Sequence, residues 1–103
     1  MSSARKTRRE LQRAQEKLAI ARRQLAALQA GGTEANPRIV GTAALIELSA
    51  TGEPCLTCGG GVALKEHRAQ VIGPHVIRIV DVVCKLCAAP RRIWLTVLPP
   101  LAN

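Results

Sequence analysis

The four cysteines of the chain fall in two pairs, Cys55-Leu56-Thr57-Cys58 and Cys84-Lys85-Leu86-Cys87, with 25 residues between the pairs. Two residues between cysteines let both sulfurs turn inward on one tight loop. Two such loops supply the four thiolates of a tetrahedral zinc site. The intervening stretch is somewhat longer than the usual ribbon spacing of about 15–20 residues. It is long enough for a hairpin that carries the second knuckle back to the first. The spacing therefore predicts a structural zinc ribbon, with one Zn2+ per chain held by Cys55, Cys58, Cys84 and Cys87. Four thiolates leave no coordination position for water or substrate, so the site is expected to be structural rather than catalytic. Iron held by four thiolates fits the same spacing. A redox CxxC normally opens a helix in a βαβ unit, whereas glycines and strand-like sequence surround these pairs. His67 and His75 fall in the stretch between the knuckles, where they are expected at the surface and not as ligands.

Composition explains why such a clamp is needed. Apolar residues make up 48% of the 103, yet Trp94 is the sole aromatic. The core must be built from Val, Ile, Leu and Ala, and small aliphatic cores usually require a staple. Ligation of a structural zinc supplies about 10–16 kcal/mol in peptide systems, enough to decide whether a thin sheet folds.

Residues 1–30 contain no Gly or Pro and are rich in good helix formers. Leu11, Leu18 and Leu25 recur every seven residues, and Ala14, Ala21 and Leu28 follow each by three, a heptad with Leu at a and Ala or Leu at d. Gly31-Gly32 is expected to stop the helix. The helix carries Arg5, Lys6, Arg8, Arg9, Arg13, Lys17, Arg22 and Arg23 against only Glu10 and Glu16. Eight cations less two anions place six of the eight net positive charges in the first third of the chain.

Residues 31–38, Gly-Gly-Thr-Glu-Ala-Asn-Pro-Arg, have loop chemistry and are predicted to be a linker. The ribbon domain is placed at residues 39–103. Residues 39–50 fit either a strand, with Ala44, Ile46 and Leu48 on one face, or a short helix from Thr42. The strand is the favoured expectation, because the run is short and ends in Thr-Gly-Glu-Pro. Residues 62–72 and 75–83 are predicted to form a hairpin about Gly73-Pro74, with the more polar first arm guarding an edge. A knuckle needs a left-handed residue just past its second cysteine. Gly59 meets that need after Cys58, but Ala88-Ala89 stand after Cys87, so one of them is expected to take the conformation at a cost. Arg91 to Leu98 gives the last strand, ended by Pro99-Pro100. The predicted fold is small α+β: a basic amphipathic helix, then an antiparallel zinc ribbon of three or four strands.

This arrangement resembles bacterial zinc-ribbon proteins that join an N-terminal coiled coil to a C-terminal four-cysteine ribbon. The resemblance rests on Cys55-x-x-Cys58 with its following glycines, the Val/Ile-rich run into Cys84-x-x-Cys87, and the closing Arg92-Ile93-Trp94-Leu95 strand, and covers roughly residues 39–98. It implies a metal site and specifies no partner. Polymerase regulators that pair a coiled coil with a zinc finger look similar, but their coiled coil is a long hairpin with an acidic tip. This chain has one short basic helix, and no functional residue is transferred from them.

A formal charge of +8 points to an acidic partner. The first function class is nucleic-acid or transcription-associated binding through Arg5, Lys6, Arg8, Arg9, Arg13, Lys17, Arg22 and Arg23, with Arg91 and Arg92 beside the second knuckle. The second is a protein-interaction adaptor whose heptad helix, residues 5–30, forms a homodimer or docks on an acidic protein surface. No enzyme is expected. Ser49, His67 and Asp81 have no triad-like context, and Gly59-Gly60-Gly61 is accounted for by the knuckle. Nor is a small-molecule substrate expected. No apolar run approaches the ~18 residues of a membrane span, and the N-terminal stretch has no apolar signal core, so a cytoplasmic, membrane-free chain is the expectation.

Overall fold

The computed structural model describes residues 2–99, with side chains from Ala4 onward. Residues 100–103, including Pro100 of the expected strand stop and the end of the expected ribbon domain, lie outside the described residues. The elements in order are α1 (Ser2–Leu28), β1 (Arg38–Val40), α2 (Leu45–Thr51), β2 (Val62–Ile72), β3 (His75–Cys84) and β4 (Pro90–Val97). The four strands make one open sheet in the order β1-β4-β3-β2, so the chain is a small α+β protein.

β2 and β3 are the expected hairpin. They pair antiparallel from Val62↔Cys84 to Ile72↔His75, with a bulge between Leu64 and Glu66. Gly73 turns the chain at φ +58. β4 returns antiparallel along β3, with Ile79 opposite Trp94 and Val80 opposite Ile93. The polar arm β2 lies at an edge, where its charged side chains face solvent.

Two expectations are overturned. The sheet is mixed, because β1 pairs parallel with β4 (Arg38↔Leu95, Val40↔Val97). Residues 39–50 are not one strand: β1 ends at Val40, and α2 begins at Leu45. The spacing that decides the second point is Ile46 to Ala50, both buried and four apart, which is a helical interval. Leu48, expected on the buried strand face, is instead exposed on α2. The core lies where α2 covers one sheet face. It holds Val40, Ile46, Ala50, Val80, Val82, Ile93 and Leu95. Fully burying a Leu, Ile or Val contributes about 1.5–3 kcal/mol each, so a core of this size is thin for a chain that must also hold a long arm.

α1 is that arm. The molecule measures 72 × 23 × 20 Å, and no strand, nor α2, packs along the length of α1. The residues expected as a linker tie its end to the sheet. Gly31, at φ +95, donates its N–H to the Asn36 carbonyl, and its own carbonyl accepts from Trp94 N–H at 2.9 Å. A Cβ on Gly31 would press on Ile93 and Arg38 at 3.2–3.3 Å, so glycine is needed here both for conformation and for space.

Candidate metal centre

The two knuckles enter from the two ends of the sequence that bracket the hairpin. The first comes after α2, where Glu53 anchors its approach. The Glu53 carboxylate pairs with the Arg38 guanidinium and, at 3.0 Å, with Arg91. The second continues directly from β3, whose last residue is Cys84. Since β2 starts at Val62 opposite Cys84, the hairpin register itself brings the loops together. A bond from Lys85 N–H to the Gly61 carbonyl at 2.9 Å then joins them.

Each knuckle closes in the same way. Gly59 N–H donates to the Cys55 carbonyl at 2.9 Å, and Cys55 N–H to the Gly60 carbonyl at 2.8 Å. In the second loop, Ala88 N–H donates to the Cys84 carbonyl at 3.1 Å, and Cys84 N–H to the Ala89 carbonyl at 3.0 Å. Gly59 sits at φ +77 and Ala88 at φ +62. The left-handed alanine expected from the sequence is therefore Ala88.

The four sulfurs converge within 4.8 Å of one another. Cys55 Sγ lies 3.6 Å from Cys87 Sγ, and Cys58 Sγ 3.4 Å from Cys84 Sγ. These separations exceed a disulfide bond of about 2.0 Å, and all four cysteines are free. A tetrahedral ion with metal–sulfur bonds of about 2.3 Å requires sulfur–sulfur edges of about 3.8 Å, which the cluster meets with small adjustments. In each pair the first cysteine is buried and the second exposed. Backbone donors point at the sulfurs: Thr57 N–H at Cys55, Gly60 N–H at Cys58, and Leu86 and Cys87 N–H at Cys84, all at 3.4 Å. Such donors stabilise thiolate, the form that binds metal.

The electrostatics of the cluster carry the same signature. The Cys87 and Leu86 N–H groups bring the Cys84 thiol down to about 6 against the effect of burial. Cys55 is also lowered: burial opposes its ionisation, but the N–H groups of Cys58 and Thr57 outweigh it. Cys87 goes the other way. The Ala89 N–H pulls it down, but burial and the neighbouring sulfurs push it up to about 12. Four sulfurs this close resist carrying four charges by themselves. A divalent cation among them would displace the remaining protons and hold the loops together. The donor set fits a metal ion, with Cys55, Cys58, Cys84 and Cys87 as its ligands.

Other side chains singled out from the sequence have separate partners. His67 lies away from the sulfurs on β2, with Nδ1 3.1 Å from Glu47 Oε1 and its side chain only 20% exposed, so it is more buried than expected. Ser49 receives a bond from Arg38 at 3.1 Å. Asp81 accepts from Arg92 Nε at 2.8 Å, and this contact holds its carboxyl below the usual carboxylate range. Arg91 and Arg92, expected as contact residues, are thus engaged by Glu53 and Asp81. By contrast, Arg5, Lys6, Arg8, Arg9, Arg13, Lys17, Arg22 and Arg23 lie along exposed α1, and none makes an ion pair with a described residue. A cleft of about 350 Å³ separates the last turns of α1 from the first knuckle, lined by Arg23, Ala26, Cys55, Leu56, Pro90 and Arg91.

Fold and site together define a small α+β protein with a four-cysteine cluster able to hold a metal ion and a projecting basic helix. No protein-family model matches the chain, and comparison with curated proteins and with solved structures finds no match. No described helix is long and apolar enough to cross a membrane.

Proposed function

We propose that the chain is a structural-zinc ribbon that presents α1 to the phosphate backbone of nucleic acid. The observation that carries this reading is the difference between its two sets of arginines. Arg91 and Arg92 on the sheet are spent on internal carboxylates, whereas those on α1 have no anionic partner among the described residues. At 3.6 residues per turn, Arg5, Lys6, Arg9, Arg13, Lys17 and Arg23 fall within an arc of about 120° centred on the side of α1 opposite Leu11, Leu18 and Leu25. Such a face meets a line of phosphates without reading bases, so affinity should be salt-dependent and weakly sequence-specific. Zinc is the ion of choice because the site is closed, all-thiolate and built to be tetrahedral. Its role is to hold the platform from which the helix projects, with no catalytic step.

Titration of labelled duplex and single-stranded oligonucleotides at about 50 and 200 mM salt tests the reading. If about six phosphates are neutralised, duplex affinity should fall by about 10³-fold between the two conditions. Arg9→Glu with Arg13→Glu should abolish the binding while leaving metal content intact. Absence of binding at low salt, or affinity indifferent to salt, would refute it.

A further inference from the structure

The leucine seam of α1 is left open by its own chain. Leu11, Leu18, Leu25 and Leu28 are 60, 50, 57 and 79% exposed, whereas Ala26, on the side that borders the ribbon cleft, is 8% exposed. The seam therefore runs along the free side of the arm, opposite most of its cations. We propose that a second copy of this chain covers it in an antiparallel coiled coil, with Leu11 of each helix packed against the partner's Leu28.

Size complementarity selects the direction. In a parallel pair, a meets a and d meets d, so Leu layers would alternate with Ala14–Ala14 and Ala21–Ala21 layers that leave holes. In an antiparallel pair a meets d. The Leu11–Leu28 register then sets Leu25 against the partner's Ala14 and Leu18 against the partner's Ala21, with the reciprocal layers given by symmetry. Every one of the six layers holds at least one leucine, and large faces small in the middle four.

Charge selects the register. With Leu11 facing Leu28, the flanking positions bring Arg8 beside the partner's Gln29, Gln15 beside Arg22, and Lys17 beside Gln24. No like charges meet. Sliding the helices by one heptad, so that Leu11 faces Ala21, sets Arg8 against Arg22 twice and Lys17 against its own copy. The parallel pair sets Lys17 against Arg22 twice. Both alternatives place like charges where they repel directly. The glutamines at 15, 24 and 29 are thus what allows so basic a helix to meet itself. The shared segment, residues 11–28, spans about 27 Å. It leaves the two ribbons at opposite ends and the cationic faces turned outward, and it does not depend on what those faces bind.

Sedimentation equilibrium of the full metal-loaded protein, without nucleic acid, should give twice the chain mass of 11.0 kDa. Small-angle scattering should show two lobes separated by the length of the shared helix. Ala14→Leu with Ala21→Leu puts leucine against leucine in the antiparallel core, so dimer affinity should fall about tenfold or more. In a parallel pair the same change fills the holes and tightens the dimer. Leu18→Glu should yield monomers. Unchanged metal content and Trp94 fluorescence would establish that the ribbon of each variant is folded. A wild-type monomer, adjacent lobes, or a dimer strengthened by the double leucine variant would each overturn the proposal. Arg9→Glu with Arg13→Glu, which tests nucleic-acid binding, should leave the dimer intact.

Discussion

The first knuckle, Cys55 to Gly60, and the second, Cys84 to Ala89, pass through the same pattern of backbone bonds with different residues at the tight position. Gly59 occupies its left-handed conformation at φ +77 in open space, with nothing within 4 Å of where a Cβ would stand. Ala88 occupies the matching conformation at φ +62. For an alanine this costs about 1–2 kcal/mol. The second loop therefore holds a strained residue that the first avoids, although both bury the first cysteine and expose the second. The loops differ again one residue on. Gly60 lies under the Leu86 side chain of the other knuckle, with Cδ1 2.8 Å from where a Cβ would be, whereas the equivalent position in the second loop is Ala89. The second loop tolerates its strain because sheet flanks it on both sides: β3 delivers Cys84 directly and β4 starts at Pro90. The first loop is reached through α2 and Glu53 and has more need of a relaxed turn.

The largest effect should come from testing whether the metal makes the two loops equivalent. Cys58→Ser and Cys87→Ser each remove one exposed ligand. Both should lose stoichiometric zinc and the cooperative unfolding of the ribbon, as chelation of the wild type should. The energy at stake is on the order of 10 kcal/mol, far above any loop preference. Metal analysis with fluorescence of Trp94, the sole aromatic, which pairs with Ile79 across β3 and β4, checks this. A variant that keeps its metal with three cysteines would show that three thiolates suffice and that the fourth ligand is dispensable. The next effect is smaller. Gly59→Ala should bring to the first loop the strain already present in the second. The left-handed cost of about 1–2 kcal/mol is partly offset by a stiffer unfolded chain worth about 0.4–1 kcal/mol. A net loss of about 1 kcal/mol in denaturant unfolding of the metal-loaded protein is expected, with zinc retained.

What can be read from the residues alone obeys the same division between local and distant causes. The convergence of the four cysteines, the Gly73 turn and the left-handed residue after Cys87 follow from local spacing, which is enough to place them. The stretch from Ile39 to Ala50 misleads because apolar residues at 44, 46 and 48 satisfy a strand while Ile46 and Ala50 satisfy a helix. Only the sheet face that α2 covers decides between the two periods. β1 is three residues long, and its parallel pairing with β4 spans more than fifty residues of chain, beyond the reach of any pattern. The same distance hides the roles of Arg91 and Arg92. Arg91 meets Glu53 across 38 positions, and Arg92 meets Asp81 across the strands, so basic residues beside a knuckle look free when they are not. The Leu seam of α1, in contrast, is visible in full, since a heptad needs no tertiary information.

The smallest effect offers the sharpest comparison. Ala88→Gly removes the left-handed cost from the second knuckle but adds backbone freedom to the unfolded chain, so the net gain should be no more than about 1 kcal/mol. Resistance to denaturant and to chelator should rise together, since the relaxed loop and the metal stabilise the same folded state. Combining it with Gly59→Ala moves the strain from one knuckle to the other. If each residue acts through its own backbone only, the combined variant should return to within a few tenths of a kcal/mol of the original. The bond from Lys85 to Gly61 and the convergence of all four sulfurs give a physical route by which the loops can couple. A combined variant that is clearly less stable than the sum of its parts would mean that the sheet-clamped second loop bears strain that the first cannot, and that the two halves of the clamp are not interchangeable.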